Sequence, residues 1–100
     1  MAQLTVVYWR DIPAQVIVKA GRQNAKRQLD ERFEKAIDRA AMRADLKDTD
    51  SYLSEWRRAE PVDCGDDLEA EADAAARRLE EEFSPERLRD LVSAGGWDKV

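Results

Sequence analysis

The chain has 100 residues, of which 43% are hydrophobic and 39% charged, and its formal net charge is −5. This length predicts a single domain over residues 1–100, and no apolar run is long enough to cross a bilayer. The sequence holds one cysteine and no histidine, which excludes an internal disulfide and the Ser–His–Asp and Cys–His mechanisms.

The chain opens with two runs of β-branched and aromatic residues, at positions 4–10 and 15–19. Two such runs separated by a short segment that contains proline predict an antiparallel β-hairpin. The segment between them is Asp11-Ile12-Pro13-Ala14, which we expect to form the turn. Because proline fixes its own φ and has no N–H, Pro13 is expected to stiffen this turn and to end the strand pairing.

The next pattern predicts one long amphipathic helix, over residues 23–46, because its apolar residues recur at spacings of three and four. Charged residues flank this apolar stripe, basic on one side and acidic on the other. The basic edge is Arg32, Lys35, Arg39 and Arg43, and the acidic edge is Asp30, Glu34, Asp38 and Asp45.

The second half of the chain predicts three shorter helices. The first begins in the cap-forming cluster 48–51 and carries Tyr52, Leu53 and Trp56 on its apolar face. Residues 62–64 form either a short edge strand or a loop, and the loop is favoured. The third predicted helix of the chain is capped by Asp66 or Asp67 and runs to Phe83.

Ser84-Pro85 then supplies a cap and a first helical residue, and Gly95-Gly96 ends the last helix. A lone hairpin is only marginally stable in water, so helices must cover one of its faces. The expected fold is therefore α+β, with an N-terminal antiparallel hairpin and a possible third short strand packed against three or four helices.

The residue types give little support for catalysis. The acidic rows are typical of solvated helix faces, and the four glycines form no phosphate-binding loop. Cys64 is flanked by acidic residues, which raise a thiol pKa, so it is a poor nucleophile. We expect no catalytic residues, no metal site, no cofactor and no enzyme activity.

Tyr8 and Trp9 are the best functional lead, because adjacent residues on a strand point to opposite faces. If one aromatic fills the core, the other lies on the uncovered face of the hairpin beside the turn. The expected partner-binding residues are Tyr8, Trp9, Arg10, Asp11 and Pro13. Whether Tyr8 or Trp9 is the exposed residue is open at this point.

An alternative reading is a small-molecule or anion-binding module that uses Arg10, Arg22 and Lys26 around an aromatic wall. A weaker anion site is Arg22, Lys26 and Arg27, at the start of the predicted long helix, where a helix N-terminus would assist.

Charge is distributed unevenly along the chain. Residues 1–44 carry nine Lys or Arg against five Asp or Glu, whereas residues 45–100 carry eight against seventeen. The basic half could face an acidic protein partner, and the acidic half argues against nucleic-acid binding. Self-association, in which the basic half of one copy binds the acidic half of another, is a further alternative. The N-terminus has no signal-peptide pattern, so a cytoplasmic location is expected.

Three blocks resemble the small bacterial "virulence factor" domain family: VVYWRDIPAQVIVK at 6–19, AKRQLDERFEKAID at 25–38 and YLSEWRRAEP at 52–61. The resemblance covers most of the chain and is looser after residue 62. Members of this family stand alone at this size, or form one end of larger proteins that also contain helical repeats and an iron–sulfur-scaffold-like domain.

The family name describes a virulence phenotype of a larger relative and implies no catalytic residues. The resemblance also implies an association with folate- and corrinoid-dependent methyl transfer. In that setting the chain would be an accessory protein of one-carbon metabolism, with a methyltransferase or a corrinoid protein as its partner.

Overall fold

A computed structural model describes residues 2–45 and 49–98. Within these residues the chain forms an antiparallel sheet and four helices, which confirms the predicted α+β fold with an N-terminal hairpin. The elements are β1 Ala2–Trp9, β2 Ile12–Ala20, β3 Gln23–Gln28, α1 Glu31–Arg43, α2 Thr49–Ser54, β4 Trp56–Arg58, β5 Val62–Cys64, α3 Leu68–Glu82 and α4 Pro85–Ser93.

The hairpin turn is shorter than expected and consists of Arg10 and Asp11, with Trp9 paired to Ile12. Arg10 adopts φ 52°, the left-handed conformation that a tight two-residue turn requires. Pro13 lies inside β2 and pairs with Tyr8, so the prediction that it sits in the turn and ends the pairing was wrong. The register shifts beside Tyr8, and such an irregularity is a place where a strand tolerates proline.

Residues 23–28 form strand β3 and not the start of a helix, which corrects the predicted helix over 23–46. Ala25 pairs with Val18 and is buried, whereas its polar neighbours alternate outward. The helix begins only at Glu31, because the Asp30 side chain caps it by accepting a hydrogen bond from the Arg32 N–H. The last residue of the predicted helix, 46, lies outside the described residues.

The connection after α2 supplies the far edge of the sheet. Trp56 belongs to β4 and not to the preceding helix, and Val62–Cys64 is a strand where a loop was favoured. Both strands pair with β1, β4 at its end and β5 at its beginning. The Ala59 N–H donates to the Val6 carbonyl at 2.9 Å between them. The two strands therefore form one interrupted edge, and Asp48 of the predicted cap cluster lies outside the described residues.

The two C-terminal helices agree with their sequence signals. Asp67 caps α3 and Ser84 caps α4, and Pro85 occupies the first turn. Gly95 and Gly96 both have positive φ and end α4, as expected. The sheet order is β3-β2-β1-β4, with β5 also on β1.

The core lies between α3 and one face of the sheet, because α3 packs on β1, β2 and β3. Alternate strand residues on that face are buried with the alanines of α3: Leu4, Val16, Val18 and Ala25 against Ala72, Ala75 and Ala76. Helix α1 packs on α4 and on the start of β2, with Phe33 against Phe83. None of the described helices is long and apolar enough to cross a membrane.

Candidate functional site

Trp9 is a core residue. Its exposed fraction is 0%, its indole N–H donates to the Tyr52 carbonyl at 3.1 Å, and its ring packs against that of Tyr52. Tyr8 points away from it and is half-buried. The open question is therefore answered: of the two adjacent aromatics, Tyr8 is the one with accessible surface.

Arg10 is held by contacts within the molecule. Its guanidinium lies near two indole rings, 5.1 Å from the Trp9 centroid and 5.0 Å from that of Trp97. One nitrogen donates to the Gly95 carbonyl at 2.7 Å, and Nε lies 3.3 Å from a Glu55 carboxylate oxygen. The turn arginine thus joins the hairpin to Glu55, directly after α2, and to the segment after α4.

Asp11 also makes internal contacts. One carboxylate oxygen accepts from the Arg57 guanidinium at 3.1 Å, and the other accepts from the Asp98 N–H at 2.7 Å. The same guanidinium lies 4.7 Å from the Tyr8 ring centroid. Partial burial raises the pKa of Tyr8, and the charge of Arg57 opposes this.

Four of the five expected partner-binding residues are therefore buried or make their contacts within the fold. Trp9 and Pro13 are buried, so a partner could contact them only if the core opened. Arg10 and Asp11 fasten the turn to neighbouring segments. Their partner-binding role stays a prediction. Tyr8 is partly exposed, but it lies on the face that α3 covers, in a pocket with Leu79 and Phe83, and not on the uncovered face where the exposed aromatic was expected.

The predicted anion-binding residues do not converge. Lys26 and Arg27 are neighbours on β3 and point to opposite faces of the sheet. Arg27 binds Glu69 and Asp73 of α3, which raise the pKa of its guanidinium. Residues 22–27 lie in a turn and a strand, so the helix N-terminus expected there is absent from this described segment.

The alternative cluster of Arg10, Arg22 and Lys26 is also separated. Arg10 follows β1 at one end of β2, and Arg22 follows β2 at its other end. The nine residues of β2 span about 26 Å at the usual rise per residue. One small ligand could not contact both arginines.

The second face of the sheet is open, since no described helix packs across its centre. We call it the open face and define it by strand register, because paired residues share a face. It comprises Gln3, Thr5, Val7, Gln15, Ile17, Lys19, Asn24, Lys26, Gln28, Arg58 and Asp63. All are exposed or half-buried except Ile17, which is 4% exposed between its strand partners Thr5 and Lys26.

A shallow groove of about 480 Å³ crosses the open face toward the interrupted edge. Thr5 and Ile17 line its apolar floor, and Lys19 and Arg58 line its sides. Lys19, Lys26 and Arg58 form no ion pair with any residue in 2–45 or 49–98. Two acidic residues of the edge, Glu60 and Asp63, lie to one side, so the basic charge is concentrated on β2 and β3.

Sequence reasoning missed most of the open face. The sequence does not predict that Lys19 and Arg58 act together, because the local pattern of residues 23–28 favours a helix and that of residues 56–58 a helix end. The alternation of Gln15, Ile17 and Lys19 was the available signal, since it places one apolar residue between polar neighbours on a single face.

Cys64 is half-buried and packs beside the core. Partial burial, and then the charge of Glu71, Asp63 and Asp66, raise the pKa of its thiol. The expected effect of neighbouring acids on this thiol is confirmed. In the described part of the chain, no group of three potential ligands could hold a metal ion.

These features define a class of protein: a small α+β domain whose antiparallel sheet is covered by α3 on one face, whereas on the other face α1 and α2 cover only the turn end and leave the centre open. A family model described as "Virulence factor" matches residues 7–92 of the 100-residue chain. The chain therefore belongs to this virulence factor family, as its sequence blocks indicated. No curated protein and no solved structure matches it.

Proposed function

We propose that this chain is a non-catalytic protein-interaction domain, and that its open face binds an acidic surface of a protein partner. The observation that carries the proposal is a set of three cations around the groove over Ile17 that have no ion-pair partner among the described residues: Lys19, Lys26 and Arg58.

Charge and apolar surface support the proposal together. Thr5, Val7 and Ile17 give a row of β-branched side chains at the centre of the face, where a partner could exclude water. Cations at the rim of such a surface attract an oppositely charged partner and fix its orientation. Because α3 already buries the other face, the open face is the part of the sheet that remains for a partner.

The family resemblance suggests which partner to test first. It associates stand-alone members with folate- and corrinoid-dependent methyl transfer, so a methyltransferase or a corrinoid protein in the cytoplasm is the first candidate. The chain would act as an accessory protein to that system and would not carry out its chemistry.

The test is affinity capture from a native extract with three forms of the chain. The wild type is compared with a Lys19→Glu, Lys26→Glu double variant and with an Arg77→Glu, Arg78→Glu control. The control makes the same change of charge on exposed residues of α3. Circular dichroism and thermal unfolding first establish that all three forms fold equally well.

The expected result is a partner that the wild type and the control retain and that the open-face variant loses. Equal capture by all three forms would contradict the proposal. Sedimentation velocity of the chain alone distinguishes self-association, since a concentration-dependent dimer that the open-face variant abolishes would make a second copy the partner.

A further inference from the structure

A second cavity lies at the turn end of the sheet, between α1, α2 and the ends of β2 and β3. We call it the aromatic pocket, and its volume is about 240 Å³. The side chains that matter for its chemistry are Tyr52, Trp56, Glu34 and Asp38. Ligand binding in this pocket is independent of the proposed function of the open face, although Gln15 and Gln28 border both the pocket and the open face.

Two aromatic rings form walls of the pocket. The ring centroids of Tyr52 and Trp56 are 6.2 Å apart, and the ring planes are nearly perpendicular at 83°. Both residues are half-buried, so each presents ring surface to the cavity. An aromatic ring attracts a cation through the negative charge of its face, most strongly for tryptophan.

Two carboxylates lie on the same side of the pocket. Glu34 and Asp38 are four residues apart on α1, so they occupy successive turns of one helix face. Neither forms an ion pair within the described ranges 2–45 and 49–98. Glu34 and Asp38 line the same pocket as Tyr52, and burial, together with the charges of these two carboxylates, raises the pKa of the Tyr52 phenol.

The aromatic pocket differs from the rest of the protein in one respect. All seven aromatic residues lie in the described part of the chain, and five of them have an arginine guanidinium over the ring. Those five are Tyr8, Trp9, Phe33, Phe83 and Trp97. The remaining two, Tyr52 and Trp56, are the walls of the pocket, and no described arginine or lysine lies over either ring.

We infer that the aromatic pocket binds a guanidinium group supplied from outside the chain. Its planar face would pack against the Trp56 or Tyr52 ring, and its N–H groups would donate to the carboxylates of Glu34 and Asp38. A volume of about 240 Å³ accommodates this head group and part of its stem but is too small for a large cofactor. The guanidinium could belong to a free metabolite or to an arginine of a polypeptide.

The experiment is a titration of the ¹⁵N-labelled full chain, followed through the three tryptophan indole N–H signals. The probes are N-acetyl-arginine amide, a Gly-Arg-Gly peptide and N-acetyl-citrulline amide. Citrulline has the shape of arginine but a neutral urea head, so it separates charge recognition from packing. The Trp56 signal is assigned from a Trp56→Phe variant.

The expected result is a saturable shift of the Trp56 indole signal with an arginine probe and no saturable shift with the citrulline probe. Binding by the free amide alone indicates a metabolite, whereas tighter binding of the peptide indicates a polypeptide arginine. A Glu34→Gln, Asp38→Asn double variant should weaken binding by about tenfold or more. A Glu31→Gln variant, on the same helix but outside the pocket, should bind as the wild type does.

Three outcomes would overturn the inference. They are equal shifts by the arginine and citrulline probes, unchanged binding by the folded double variant, and the absence of any saturable shift at Trp56. Since none of these measurements involves Lys19 or Lys26, failure here leaves the proposed function standing, and failure of the capture experiment leaves this inference standing.

Discussion

The guanidinium of Arg10 lies 5.0 Å from the ring centroid of Trp97, and this contact joins the first hairpin turn to the C-terminal segment. Arg10 also donates to Gly95 and lies beside Glu55, so one turn residue connects three parts of the chain. Trp97 is 43% exposed, and the same guanidinium lies 5.1 Å from the ring centroid of the buried Trp9. The turn motif around Arg10, which suggested a binding site from the sequence, therefore holds distant segments of the fold together.

A double-mutant cycle measures the coupling free energy between Arg10 and Trp97. Arg10→Gln and Trp97→Ala should each destabilise the fold, and together they should cost less than the sum of the two by about 0.5–2 kcal/mol. The reason is that either change alone removes the same cation–π contact. The measurement is the free energy of unfolding in urea, with Arg22→Gln in place of Arg10→Gln as the matched control. Additive effects of Arg10→Gln and Trp97→Ala would contradict the account.

Gly96 allows the close approach of the C-terminal segment to Trp9. A Cβ at Gly96 would lie 2.8 Å from a carbon of the Trp9 ring, and φ at this position is +97°. Gly96→Ala should therefore add an overpacking cost of about 1–3 kcal/mol to the cost of the backbone conformation. Gly21→Ala is the control, because Gly21 also has positive φ but its Cβ would meet nothing within 4 Å.

Thermal unfolding of the two alanine variants checks this prediction. Gly96→Ala should have the lower melting temperature by several degrees. If the two variants were equally stable, the packing of residue 96 on Trp9 would contribute nothing.

The two faces of β2 should respond differently to a buried hydroxyl. Val18→Thr places a hydroxyl in the core under α3, where it should cost about 2 kcal/mol. Ile17→Thr places one under the groove of the open face, where Ile17 is 4% exposed but is covered by strand side chains and not by a helix, and should cost about 1 kcal/mol less than Val18→Thr. Chemical denaturation of both variants measures the difference. A larger loss for Ile17→Thr would mean that the open face is covered.

Cys64 should titrate at a higher pH in the folded than in the unfolded protein, because partial burial and Glu71 raise its pKa. The pH midpoint of iodoacetamide alkylation should thus move upward relative to the chain in urea. Because the pKa is raised on folding, the thiol's contribution to the free energy of unfolding is fully present below the pKa of the unfolded chain. It is lost as the pH rises through the pKa of the folded protein. An unchanged or lower midpoint would contradict this prediction.

The apolar patterns of the sequence were sufficient for α3 and α4, whose caps Asp67 and Ser84 are strong local signals. They were not sufficient for β3. Residues 23–28 are polar except for Ala25, and a single inward alanine fits a helix stripe as well as an edge strand. These residues form a strand because they pair with β2. That pairing is a tertiary interaction, so the local spacing of apolar residues does not predict it.

The hairpin turn was misplaced for a similar reason. Proline usually marks turns, but the irregular pairing of Tyr8 with Pro13 accommodates it inside the strand. Strand alternation correctly separated Tyr8 from Trp9. It could not say which one is buried, because that depends on α2 and on Gly96, which lie far away in the sequence.

The most direct test of the open face as a partner-binding surface is lysine footprinting in a native extract. The chain is acetylated briefly in buffer and in the extract, and the modification of each lysine is quantified by mass spectrometry. Lys35, which is exposed on α1 and does not line the groove, is the internal control. The account predicts that the extract protects Lys19 and Lys26 but not Lys35. Equal modification of all three lysines in buffer and in extract would contradict it.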